Sequence, residues 1–186
     1  MLNHKHIAIE GPIGVGKTSL AEILAKKLNA RLILEGAEEN PFISSFYKDV
    51  KKYAFQTQMF FLLSRFRQQQ EAAQDDLFQQ VTVSGYVFAK DRIFANLTLD
   101  DNELKLYEQM HALLKGRILR PDFVIYLQAS TDVLMRRIAL RGRKFESPIT
   151  AEYLAEINQA YNYYFLHYQE TPLMAVNTSH MDFVHR

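Results

Sequence analysis

The chain has 186 residues, 48% hydrophobic and 23% charged, with a formal net charge of +1 and no cysteine. That length fits one domain over residues 1–186 with a buried core, and the composition excludes a disordered or fibrous chain. The balanced charge gives no footprint for a nucleic-acid partner, no apolar run approaches the roughly 20 residues of a membrane span, and the lack of both a signal-type start and disulfides suits the cytoplasm.

In chain order, short β-rich runs are expected at residues 5–10, 31–35, 81–84, 123–128 and 173–176. Helical patterns lie between or after them, at residues 17–28, 40–49, 54–73, 101–115, 131–141 and 150–167. Strands alternating with helices favour crossover connections and a parallel sheet covered on both faces. The expected fold is a three-layer α/β domain around a five-stranded parallel sheet. The sequence ends soon after the fifth strand, so a closing C-terminal helix is expected beyond it. The six histidines, His4, His6, His111, His167, His180 and His185, show no metal-ligand spacing.

The strongest local signal follows the first strand. Gly11-Pro12-Ile13-Gly14-Val15-Gly16-Lys17-Thr18 fits the phosphate-loop pattern at every fixed position and opens a helix that continues through Ser19. Glycines let successive N–H groups curl around an anion, and the helix N-terminus adds the positive end of its dipole. These residues, Gly11 to Ser19, are therefore expected to bind ATP. Lys17 should reach the β- and γ-phosphates, with the Thr18 hydroxyl on Mg²⁺.

Three further features address the acceptor. Glu35 closes the second expected strand and would stand on the same sheet edge as the phosphate loop, where a general base belongs; a solvated loop glutamate reads equally well. Gln58, Leu62 and Arg65 share one helix face, with Gln58 and Arg65 about 10.5 Å apart along the axis. A glutamine can pair bidentately with a nucleobase edge, and Phe60, Phe61 and Phe66 offer flat apolar surface; a solvated face over core aromatics is the plainer alternative. Arg137, Arg141 and Arg143 gather at one helix end, either as a clamp on transferring phosphates or as surface arginines placed by the helix dipole.

Taken together, these segments resemble the deoxynucleoside kinase family, in its bacterial deoxyadenosine/deoxyguanosine kinase branch. The likeness runs through Ile9–Thr18, Leu34-Glu35, Glu38–Phe42, Phe46-Tyr47, Ala54–Arg65, Ile93-Phe94-Ala95 and Arg137–Arg143 ending at Glu146. It implies a P-loop kinase fold with an arginine-rich lid at about 137–147. The implied activity is ATP- and Mg²⁺-dependent phosphorylation of a deoxynucleoside 5′-hydroxyl, in a homodimer. Glu35 is then the base, Tyr47 and Glu146 hold the 3′-hydroxyl, and Gln58 reads the base edge beside Arg65. Arg137, Arg141 and Arg143 cover the donor phosphates. The family's partner of Arg65 falls at Lys90 by count and at Asp91 by chemistry.

One position departs from that pattern. Where the family carries a carboxylate after the third strand, this chain has Gly85, in Val83-Ser84-Gly85-Tyr86. Thr18 remains the only clear protein ligand for Mg²⁺, an ion that keeps several waters and needs only one or two carboxylates. Two other readings stand beside the leading one. A thymidylate-like monophosphate kinase shares the sheet and loop, but Glu35 and Glu146 would repel an acceptor phosphate. A nucleotide-binding subunit without catalysis is suggested by Gly85.

Overall fold

The computed structural model describes residues 6–74 and 81–181. Lys5, expected to start the first strand, lies outside them, as do His4 and His185.

Five strands form one sheet: β1 (His6–Glu10), β2 (Arg31–Ile33), β3 (Thr82–Ser84), β4 (Phe123–Gln128) and β5 (Leu173–Asn177). Their order is β2-β3-β1-β4-β5, with every pairing parallel. Central β1 is flanked on both sides, with Ile7 opposite Val83 in β3 and opposite Phe123 in β4. All five of its residues are buried, as an apolar run between two helical layers requires. Among the described residues the α-helices are α1 (Lys17–Leu28), α2 (Ile43–Phe46), α3 (Val50–Gln74), α4 (Asp91–Thr98), α5 (Asp101–Lys115), α6 (Thr131–Arg141) and α7 (Ala151–Leu166).

Alternation along the strands divides the core. Ile9, Val83 and Leu127 face a cluster with Ala21 and Ala25 of α1 and Leu134 and Ile138 of α6. Ala8, Val124 and Tyr126 point the other way, onto Ile93 of α4 and Ile157, Tyr161 and Phe165 of α7. The period-two strand therefore places helices on both faces.

Local chemistry explains several boundaries. Asp100 accepts from the Asn102 and Glu103 amides while Glu103 reaches back to the Asp100 amide, so a capping box starts α5. Thr150 caps α7 through the Tyr153 amide, and Gly142, at φ 66°, ends α6.

The differences from expectation lie in the segments between strands and their helices. β2 stops at Ile33, two residues short of Glu35; the last ladder bond runs from the Gly85 amide to the Ile33 carbonyl at 2.8 Å, and Glu35 beyond it lines the cleft. The helix expected over 40–49 shrinks to α2, preceded by a 3-10 turn at Ala37–Glu39. Asn40 is consumed locally, its amide group on the Thr57 carbonyl and its side-chain oxygen on the Phe42 amide. α3 starts earlier than expected, with Asp49 accepting from the Lys52 amide. α4 was not expected at all. It is eight residues long and polar at Asp91, Arg92 and Asn96, and it is held by packing against α3 and α7.

Candidate active site

The phosphate loop leaves β1 at Glu10 and enters α1 at Lys17. Gly16, at φ 104°, precedes the helix, and no side chain caps it, so the first amides of α1 face outward at the positive end of the dipole. Gly14, at φ 83°, packs so closely on α6 that an added Cβ would lie 2.9 Å from Ile138 Cγ1. The Lys17 ammonium curls back to donate to the carbonyls of Gly11 (2.6 Å) and Pro12 (3.1 Å). Burial, and then the charge of Lys90, lower its pKa to about 8.

Beneath the loop lies a residue that sequence reasoning did not single out. Glu10 is fully buried. One carboxylate oxygen accepts from the Gly11 amide (2.8 Å) and the Tyr161 hydroxyl (3.3 Å), the other from the Val87 amide (2.8 Å). It ties the start of the phosphate loop to the segment after β3 and to α7. A charged residue closing an apolar strand was the available signal, since such a group survives burial only with partners.

Over the strand ends is a cleft lined by Ile13, Gly14 and Lys17 of the loop and by Glu35, Tyr47 and Gln58. Arg65, Lys90, Asp91, Arg141, Arg143 and Glu146 complete its polar wall. Its centre is Glu35. One carboxylate oxygen takes the Arg65 guanidinium at 2.5 Å and the other takes the Lys90 ammonium. Arg65 also grips Asp91 with its other terminal nitrogen. Burial alone would raise the pKa of Glu35, but Arg65 and Lys90 outweigh it and hold the carboxyl well below its usual range. Burial pushes Asp91 up to about 6 despite Arg65. Lys90 and Asp91 therefore divide between two partners: Asp91 faces Arg65, while Lys90 faces Glu35.

On α3 the cleft takes Gln58, Phe61 and Arg65. The Arg65 guanidinium lies over the Phe61 ring at 4.8 Å and the Tyr86 ring at 5.5 Å. Leu62, expected on the same face, turns into a separate core cluster with Phe88 and Tyr107, and Phe66 packs against that cluster. Of the three phenylalanines expected to offer flat surface, Phe61 is the one lining the cleft. Phe94 and Tyr161 add apolar wall that sequence reasoning missed, Phe94 because it rides on the unexpected α4.

The arginines separate. Arg141 makes a bidentate pair with the buried carboxylate of Glu146, with Nη2 at 2.6 and 2.8 Å. Arg143 lies 3.5 Å from Glu38 and over the Phe145 ring. Tyr47 stacks on Phe145 at 6.5 Å, and burial, then neighbouring Tyr153 and Glu146, raise its pKa. Arg137 does not line the cleft. Its guanidinium donates to the Val15 carbonyl (3.2 Å) and to the carbonyls of Thr178 (2.6 Å) and Met181 (2.7 Å). The expectation that Arg137 covers the donor phosphates is therefore replaced by a different placement: it braces the phosphate loop against the turn after β5.

Gly85 sits buried at the end of β3, where an added Cβ would meet Leu34 Cδ2 at 3.1 Å. Among the described residues no group of three or more His, Cys, Asp or Glu side chains could hold a metal. Among them also no helix is long and apolar enough to cross a membrane.

A parallel α/β sheet with a phosphate loop after its first strand, and an acidic and basic cleft over its strand ends, defines a P-loop phosphotransferase. Comparison with known proteins narrows the class: the profile described as Deoxynucleoside kinase matches residues 7–186, and the chain belongs to that family. It is 37% identical to a deoxyguanosine kinase of Bacillus subtilis over 183 residues, covering 96% of this chain and 88% of that one. With a deoxyadenosine kinase of Lactobacillus acidophilus it shares 32% identity, over 96% of this chain and 87% of the relative. The structure of deoxyadenosine kinase from M. mycoides with dCMP and dCDP bound superposes with a TM-score of 0.83 at 29% identity, covering 96% of this chain and 92% of that one.

Proposed function

We propose that this protein transfers the γ-phosphoryl group of ATP to the 5′-hydroxyl of a purine deoxynucleoside. The observation that carries the reading is the convergence of Lys17, Glu35 and the Gln58–Arg65 helix face on one cleft. Relatives named deoxyguanosine and deoxyadenosine kinase support the purine, and a deoxyadenosine kinase structure with bound dATP supports the adenine nucleotide.

In this reading the α1 amides and Lys17 hold the donor phosphates. Glu35 accepts the 5′-hydroxyl proton as that oxygen attacks the γ-phosphorus and the bond to the ADP oxygen breaks. Gln58 reads the base edge, Tyr47 and Glu146 hold the 3′-hydroxyl, and Arg141 and Arg143 close as a lid at about 137–147. Mg²⁺ would neutralise charge on the β- and γ-phosphates when bound. The residues fit an ion carried in on the nucleotide: Thr18 is exposed at the start of α1, and both Glu10 oxygens are already engaged. We also take the chain to be one cytoplasmic domain that pairs as a homodimer, a state supported by exposed Leu97, Leu106 and Leu113 on packed α4 and α5.

The test is ATP turnover with a panel of deoxynucleosides and thymidine monophosphate. Deoxyguanosine or deoxyadenosine should be phosphorylated fastest, and thymidine monophosphate not at all. Turnover of the monophosphate alone, or of nothing in the panel, overturns the proposal.

A further inference from the structure

Lys90 is 4% exposed, a rare position for a lysine unless its charge is partnered. Its partner is Glu35 Oε2. The chain spends local structure on that contact: a 3-10 turn over Phe88–Lys90, with the Lys90 amide on the Val87 carbonyl at 3.0 Å, leads straight into α4. That turn is itself anchored, because the Val87 amide donates to Glu10 under the phosphate loop. The next residue, Asp91, is taken by Arg65, which holds the other Glu35 oxygen. Lys90 thus has a rigid mount and one task within reach.

That task answers an electrostatic problem. A carboxylate base must stand beside the 5′-oxygen as an anionic γ-phosphate approaches it, and like charges in a dry cleft repel strongly. Arg65 already serves Asp91, so the cation on the far oxygen of Glu35 is the lysine. Lys90 also contributes, after burial, to lowering the pKa of Lys17, so the two ammonium groups share one field at the phosphate end of the cleft.

We infer that Lys90 is a positioning residue for the catalytic step: through its contact with Glu35 Oε2 it keeps that carboxylate ionised, aimed at the acceptor hydroxyl and shielded from the transferring phosphoryl group. It acts neither as a base-edge reader nor as mere structural support. This inference rests on the proposed deoxynucleoside kinase reaction with Glu35 as base.

The experiment compares the parent enzyme with Lys90→Met and Lys90→Arg, measuring kcat, KM for the preferred deoxynucleoside, the pH profile of kcat and the Tm. Lys90→Met should lower kcat by about 10²-fold with KM within about threefold. Its acidic limb should move upward, because the Glu35 pKa rises when one of its two cations is gone. Lys90→Arg should restore the profile and bring kcat to within about fivefold of the parent, since it returns the charge. Lys90→Gln carries the same test if methionine leaves too much uncompensated charge for folding. A parent-like kcat and profile in the neutral variants overturns the inference. So does a rise in KM or a change in purine selectivity with the profile unmoved, the mark of a base reader. A lower Tm with unaltered kinetics overturns it in favour of structural support. An inactive parent overturns the proposed function itself; an active parent with indifferent Lys90 variants overturns this inference alone.

Discussion

Glu35, the proposed base, stands between two cations, which decides what kind of base it would be. With its pKa held well below the usual carboxylate range, it remains ionised throughout the neutral range and offers orientation more than basicity, which suffices where the phosphoryl group is largely detached before the new bond forms. Replacing it with Gln preserves shape and removes the proton acceptor, so kcat should fall by roughly 10²–10⁴ while ATP affinity hardly changes. An unaltered kcat in single-turnover measurements moves the base elsewhere. Lys17 gives the opposite limb. Its pKa is lowered to about 8, so raising the pH through 8 strips the charge proposed to attract the phosphates in the free enzyme. The ratio kcat/KM for ATP should therefore fall above about pH 8, while kcat at saturating ATP persists to higher pH because bound phosphate keeps the ammonium protonated. A flat kcat/KM up to about pH 10 would contradict the assigned role.

Elements set how these side chains are delivered. β3 brings Gly85 to the carboxyl edge of the sheet, and the space there decides whether a carboxylate can be restored. Only the flexible end of Leu34 approaches an added Cβ closely, so Gly85→Asp should fold. If the missing charge limits turnover, kcat should rise about tenfold, equal to about 1.4 kcal/mol of barrier, and less Mg²⁺ should be needed for half-maximal rate. No gain across a full Mg²⁺ titration means glycine is not a catalytic deficit. α7 acts through Tyr161, whose buried hydroxyl donates to Glu10 at 3.3 Å. Tyr161→Phe leaves the carboxylate with its two amides but one donor short. A cost of about 1–2 kcal/mol is expected, seen as a Tm lower by about 2–8 °C with a raised KM for ATP. An unchanged Tm shows that the hydroxyl contributes nothing to anchoring the phosphate loop.

At the scale of the whole molecule, several helix leucines face outward. Leu63 on α3, Leu97 on α4 and Leu106 and Leu113 on α5 are exposed on three helices that pack on one another, and exposed leucines on adjoining helices suit an association surface. Light scattering should give about twice the 21.7 kDa chain mass, and Leu106→Glu with Leu113→Glu should halve it. A monomeric mass at every concentration removes the dimer from the proposal.

Parts of the molecule whose chemistry is local can be read along the chain alone. The phosphate loop is a string of adjacent residues whose glycines and lysine act through their own backbone and side chains. The five strands and the long helices were legible because burial on both faces, or on one helical face, imprints a period on the chain. Glu35, Gln58 and Arg65 could be picked out from an expected strand end and helix spacing, but their roles came from the family likeness, and Glu35 lies two residues past the end of β2. Tertiary structure decided the rest. α4, eight residues with polar ends, exists because α3 and α7 cover it, and no isolated helix so short would hold. Arg137 and Arg141 share a helix face in sequence, yet one braces the phosphate loop and the other pairs with Glu146. Lys90 and Asp91 are neighbours that spacing could not separate. One meets Glu35 and the other Arg65, because a buried charge takes whichever opposite charge the packing of distant segments brings within reach.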